Sequence, residues 1–244
     1  MQAAGYIIPH DSKKETGSED GYLIAQDSDA FFYCVADGVG GWSQSGVNVR
    51  EFTNQFLNQC SEGFLQGHRN PEMVVEYALN HTMKPGSVTV ACGIVETDKE
   101  GTINMKGYQI GDSGFLVIRQ NKIYLETEEQ QHAFNHPFQI GRTKTGSFHG
   151  DNPKDGLFYR IPLQKGDVVV FGTDGLLDNM TSEEILDAIV DGCDAKQLAN
   201  RAYLSSLDTE GVKPFYERAY KANVTDRLIR GGKQDDIGII VLRV

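Results

Sequence analysis

Three aspartates each close an apolar run and stand next to glycine: Asp37 in FFYCVADGVGGW, Asp112 in YQIGDSG and Asp174 in VVVFGTDGLLDN. A carboxylate at the end of a buried strand is held rigidly at the rim of a sheet, while the adjacent glycine lets backbone oxygen and water approach. Hard, oxygen-seeking cations need that arrangement. A single Asp-Gly is an ordinary turn dipeptide, so the repetition in matching strand contexts carries the information. Carboxylates that converge on one rim repel strongly unless cations lie among them. Softer ligand chemistry is poorly served. Cys34, Cys60, Cys92 and Cys193 show no CxxC or Cys/His spacing and are expected as buried free thiols. His132 and His136 stand four apart, but Asn135 and Pro137 oppose the helix that would make the pair a metal ligand.

Short β-type runs must position these aspartates. They are Tyr22 to Ala25, Phe31 to Asp37, Ser87 to Thr97, TINMKGYQI, GFLVIRQ and KIYLET. The runs after Ser87 follow nearly back to back, which favours antiparallel meanders over strands alternating with helices. Helical periodicity comes in blocks. Phe52, Phe56, Leu57 and Phe64 share one face of Val49 to Phe64, and Pro71 opens a second helix carrying Val74, Val75, Ala78 and Leu79. Thr181 and Glu184 form a capping box ahead of Ile185, with Gly192 ending that helix. Further amphipathic stretches run from Ala195 to Leu207 and from Phe215 to about Ile229. The pattern predicts an α+β fold of two antiparallel β-sheets with helices on their outer faces. The segment from Glu126 to Asp155 has no clear period, and its Phe134, Phe138 and Phe148 predict a packed flap.

The 244 residues suit one domain, 1–244, able to bury roughly 70% of its unfolded surface without staples. Twenty-three Lys+Arg against 34 Asp+Glu give a net charge of −11, the wrong sign for binding nucleic acid or anionic lipid. No apolar run approaches the roughly 18 residues needed to span a bilayer. The N-terminal MQAAGYIIPHDSKKE has neither a charged leader before an apolar stretch nor an Arg-rich amphipathic segment, so a targeting peptide is absent or already removed. The expected setting is the cytoplasm, or a mitochondrial or plastid matrix after loss of a transit peptide, with the chain a monomer. Glycosylation sequons at Asn80, Asn179 and Asn223 are discounted for want of a signal peptide.

GSEDGYLI, ADGVGGW, IGDSG, FGTDGLLDN and KQDDIGIIVLRV occur in the order found in the protein phosphatase 2C family and span nearly the whole chain. The chain resembles that family. ADGVGGW together with QQHAFNHPFQIG is similar to the branch whose members are often mitochondrial or plastid phosphatases. The resemblance implies a four-layer αββα sandwich with two Mn²⁺ or Mg²⁺ ions at one end, hydrolysing phosphoserine and phosphothreonine on proteins. Attack would come directly from a metal-bridging hydroxide. Carried over residue by residue, Asp37 would bridge both metals, the Gly38 carbonyl would hold one, and Asp174 and Asp235 the other. Glu19 and Asp20 would act through metal-bound water. Asp112 and Asp178 match positions that hold a weaker third metal in several relatives, and Asp236 takes a place usually filled by Asn. No phosphoenzyme is needed, consistent with the lack of a CxxxxxR loop and of a histidine beside the glycine-rich turn.

Two departures stand out. Val39 occupies the place where many members have a histidine proposed to protonate the leaving oxygen, and valine cannot donate a proton. The usual phosphate-binding arginine is also missing. Glu15 stands about there, and Lys13 or Lys14 could supply a point charge without the bidentate geometry of arginine. Alternatives to a protein phosphatase are a non-catalytic relative that binds a partner on the same fold, or a hydrolase of small phosphoesters.

Overall fold

In strand β3 (Ala30–Gly38) Phe32, Cys34 and Ala36 face one way and Tyr33 and Val35 the other, and all five are buried. Such a strand needs cover on both faces. The computed structural model, which describes residues 1–244, supplies it. One sheet has the order β11 (Phe148–Gly150), β10 (Ile140–Arg142), β4 (Gly86–Thr97), β3 and β2 (Gly21–Gln26). Strand β5 (Ile103–Ile110) also pairs with β4, and β12 (Leu157–Leu163) pairs with β5. The second sheet runs β1 (Gln2–Ile8), β14 (Ile237–Arg243), β13 (Val168–Gly172), β6 (Gly114–Arg119) and β7 (Lys122–Glu126). Every strand pairing within these two sheets is antiparallel.

Three apolar layers follow from the period of two. Phe32, Cys34, Val90 and Ile94 pack under helices α1 (Val49–Leu65) and α2 (Pro71–His81). Tyr33, Val35, Ala91, Phe115, Val169, Phe171 and Ile240 fill the space between the sheets. On the far side Val168, Val170, Ile237 and Ile239 pack against Ile185, Ala188, Leu198 and Ala202 of α4 (Ser182–Val190) and α5 (Ala195–Ser206). The result is an αββα sandwich, and burying each large side chain contributes about 1.5–3 kcal/mol.

Most elements lie where periodicity and capping place them. Thr181 and Glu184 form both halves of the capping box that starts α4. All four cysteines are buried free thiols, although Cys34, Cys60 and Cys92, distant in sequence, share one core cluster. One strand was not expected from the sequence, and two expectations need correction. The N-terminal segment is itself a strand: β1 pairs along its length with β14, an edge position whose half-buried residues give little alternation to read. The amphipathic stretch after Phe215 yields only α6 (Pro214–Lys221), because Asn223 turns the chain into left-handed backbone at φ 56°. In the flap Phe138 joins the helix-side core and Phe134 meets the Phe215 ring, but Phe148 is exposed over the Arg142 guanidinium. The flap also contains a small two-stranded sheet of β8 (Gln131–Ala133) and β9 (His136–Pro137).

Crossings between the two sheets determine what gathers at their rim. The chain leaves β5 in one sheet and enters β6 in the other through Gly111–Ser113, so Asp112 lies at the crossing. Asp20 lies at a second crossing, between β1 and β2.

Candidate metal centre

Asp37 has the same strand parity as Tyr33 and Val35, so it points into the crevice between the sheets where β3 ends. Its register partner Thr89 lies on the same rim, hydrogen-bonded to Ser113 at 2.7 Å. Asp174 opens the short helix α3 (Asp174–Leu177) directly after β13, and Asp235 precedes β14. Asp37, Gly38, Asp112, Asp174 and Asp235 line one cavity of about 250 Å³, together with Lys13, Val39, Gly40, Thr89, Lys233 and, from the flap, Asn135 and Pro137. Gly38 is required by close approach: a Cβ there would lie 2.6 Å from the Glu19 carbonyl oxygen and 2.7 Å from Val49.

The remaining expected site residues take other places. Asp20 is buried beside the cavity, with its Oδ2 unpartnered. Glu19 turns toward Lys13, whose Nζ donates to Glu19 Oε2 at 2.5 Å and to Asp236 Oδ2 at 2.9 Å. Asp178 does not line the cavity; Lys233 Nζ donates to its Oδ2 at 2.6 Å, and Arg218 donates to its Oδ1. Asp236 does not line the cavity; it accepts the backbone N–H groups of His10 and Glu19 at 2.7 and 2.8 Å. The two N-terminal lysines are thus separated: Lys13 enters the cavity, and Lys14 pairs with Asp11 at the surface.

The electrostatics follow from this convergence. Burial, then the charges of Asp20, Asp174 and Asp112, push the Asp37 carboxyl well above the usual range. Burial and the neighbouring Asp236 and Asp174 do the same to Asp20, and burial with Asp174 and Asp178 to Asp112. Asp235 is raised to about 7, mainly by burial and then by Asp174. Lys233 moves the other way from a buried amine. Burial opposes its charge, but Asp174, Asp178 and Asp235 together outweigh that cost and hold it firmly protonated.

The donor set fits hard divalent ions. It is all carboxylate and carbonyl oxygen, and Asp20 Oδ2 and Asp112 Oδ1 are buried without any hydrogen-bond partner. No three side chains already close around one ion-sized point; ammonium groups stand among the carboxylates instead. Sequence reasoning missed Lys233 and Arg218. The spacing held a clue to the first, since Lys233 is two residues before Asp235 and alternate residues of an extended chain face the same way. Nothing local marks Arg218, which reaches Asp178 across 40 residues. The Asn179 sequon is a packed core element, fully buried and hydrogen-bonded to Lys233 and Gly175.

An αββα sandwich with an acidic, cation-seeking rim defines the class. No protein-family model matches the chain. It is 35% identical over 246 residues to probable protein phosphatase 2C 80 of Arabidopsis thaliana, covering 96% of this chain and 56% of that protein. It is 33% identical over 255 residues to probable protein phosphatase 2C 1 of Oryza sativa subsp. japonica, covering 98% and 74%. The X-ray structure of the photosystem II phosphatase PBCP superposes with a TM-score of 0.88 at 28% identity, covering 100% of this chain and 98% of that one. The catalytic domain of the serine/threonine protein phosphatase PstP, solved with two manganese ions, shares the fold at a TM-score of 0.60 and 15% identity, covering 98% of this chain and 96% of that one. The chain belongs to the protein phosphatase 2C family. It spans about half the length of several curated relatives it matches, 56% and 51% in two of them. No helix is long and apolar enough to cross a membrane.

Proposed function

We propose that this chain is a single catalytic domain, monomeric, that hydrolyses phosphoserine and phosphothreonine on proteins with two Mn²⁺ or Mg²⁺ ions at the rim. One observation carries the reading: Asp37, Asp112, Asp174 and Asp235 converge on one cavity, with Asp20 beside it, and two buried carboxylate oxygens have no partner. Asp37, the Gly38 carbonyl, Asp174 and Asp235 would hold the ions, with Glu19 and Asp20 acting through water. Such ions supply a nucleophilic water near neutral pH and offset phosphoryl charge.

The chain's own groups orient and confine the substrate. Lys13 Nζ is anchored by Glu19 and Asp236 and lines the cavity, giving one fixed positive charge toward a phosphoryl group where arginine would have given two hydrogen bonds. Val39 forms an apolar wall and neither gives nor takes a proton. Asn135 and Pro137 bring the flap over the opening, so residues around them are placed to sort phosphopeptides. Trp42, on the glycine-rich turn, braces this flap: its Nε1–H donates to Ser87 Oγ at 2.7 Å, which donates to Gln139 Oε1 at 2.6 Å.

The test is hydrolysis of a phosphothreonine peptide beside p-nitrophenyl phosphate, with and without Mn²⁺ and with a chelator control. Mn²⁺-dependent release of phosphate from the peptide is expected. Hydrolysis of the aryl ester alone would favour a small-phosphoester enzyme, and no hydrolysis of either a binding protein.

A further inference from the structure

Lys233 lies among carboxylates that a metal-binding rim would be expected to keep free. Its Nζ is 2.5 Å from Asp174 Oδ2, 2.6 Å from Asp178 Oδ2 and 3.5 Å from Asp235 Oδ2. The face of Phe215 lies 5.0 Å from the same nitrogen. The lysine is not a loose surface arm that folded inward. Asn179, fully buried, accepts the Lys233 backbone N–H at 2.9 Å and donates to the Lys233 carbonyl at 2.8 Å, fixing the residue on both sides. Arg218 takes the other oxygen of Asp178 and also reaches Glu129 at 2.9 Å. Both oxygens of Asp178 are therefore committed to cations belonging to the chain itself.

The rim thus has two electrostatic halves. Around Asp20, Asp37 and Asp112, carboxylate oxygens are left without partners or face mainly like charges. At the Asp174–Asp178 corner an ammonium group already sits at hydrogen-bonding distance from both carboxylates. We infer that Lys233 is a built-in cation of Asp178: an ion held by Asp174 and Asp235 would take those two carboxylates from the ammonium, which stays on Asp178 in place of a further divalent ion, so that the chain binds two ions and excludes a third. This inference rests on the metal-centre reading above. Exclusion is both steric and electrostatic: an added ion would have to displace the ammonium from Asp178 and would lie within a few ångströms of a like charge.

Mn²⁺ binding to the full chain, followed by titration calorimetry and by electron paramagnetic resonance of free Mn²⁺, tests it without reference to turnover. The wild type should saturate with two ions. Lys233→Met, which keeps the length of the stem and removes the charge, should bind a third at least about tenfold more tightly than the wild type binds any additional ion. Lys233→Arg, which keeps the charge, should again stop at two. A third ion on the wild type with the affinity seen in Lys233→Met would overturn the inference while leaving the metal centre standing, and that wild-type measurement stands even if the Met variant fails to fold. Fewer than two ions on the wild type would overturn the metal centre and this inference with it.

Discussion

The side chain of Asp236 accepts the backbone N–H of Glu19 at 2.8 Å across 217 residues of sequence. It also holds the backbone of His10 and the ammonium of Lys13. One buried carboxylate thereby ties the segment after β1 to the approach of β14, and sets Glu19, Asp20 and Lys13 against the rim. This clamp is a matter of stability before it is one of chemistry. Asp236→Ala leaves two backbone donors without their acceptor and should cost about 3 kcal/mol of unfolding free energy, measured by denaturant titration of the metal-free protein. Asp236→Asn, which keeps one acceptor oxygen, should fall between it and the wild type. An alanine variant as stable as the wild type would show that the clamp is not needed.

Asp37→Asn and Asp174→Ala remove rim carboxylates, not core apolar side chains. Each should retain the wild-type far-ultraviolet circular dichroism and lose at least about 10³-fold in phosphopeptide turnover, since metal-assisted charge stabilisation is worth several kcal/mol. Near wild-type turnover of either variant at saturating Mn²⁺ would remove it from the metal centre.

Asp112 has a different standing, because its Oδ1 is unpartnered while Lys233 and Arg218 take up the neighbouring Asp178. Asp112→Ala should lower turnover and leave two Mn²⁺ ions bound by elemental analysis. Loss of a tightly bound ion from the variant would move Asp112 into the primary ligand set.

Val39 bears on how the leaving oxygen is protonated. A positioned general acid contributes about 10²–10⁴-fold, and an aryl phosphate needs it far less than a seryl or threonyl phosphate. With rim water near Asp112 supplying the proton, Val39→His should change phosphopeptide turnover by less than about tenfold. Asp112→Ala should then harm the phosphopeptide far more than p-nitrophenyl phosphate. A steep gain in Val39→His confined to the phosphopeptide would mean instead that the wild type lacks an acid.

Much of this molecule is local and was legible in the chain. The unbroken apolar runs Phe31 to Ala36 and Val168 to Phe171, the spacing of Phe52, Phe56 and Phe64, and the Thr181–Glu184 capping box each depend on a few neighbouring residues. The same holds for the aspartates at strand ends, because β parity alone aims Asp37 to the side of Tyr33 and Val35. What the chain could not display was anything set by pairing between distant segments. Strand β1 exists because β14 lies beside it, and Asp112 reaches the rim because the chain changes sheets at that point. The division of the carboxylates into a free group and a corner held by Lys233 and Arg218 was equally hidden. It depends on side chains 40 to 59 residues apart meeting in a dehydrated crevice, where a charge takes whichever partner the packed layers bring within reach, and sequence spacing does not encode that distance.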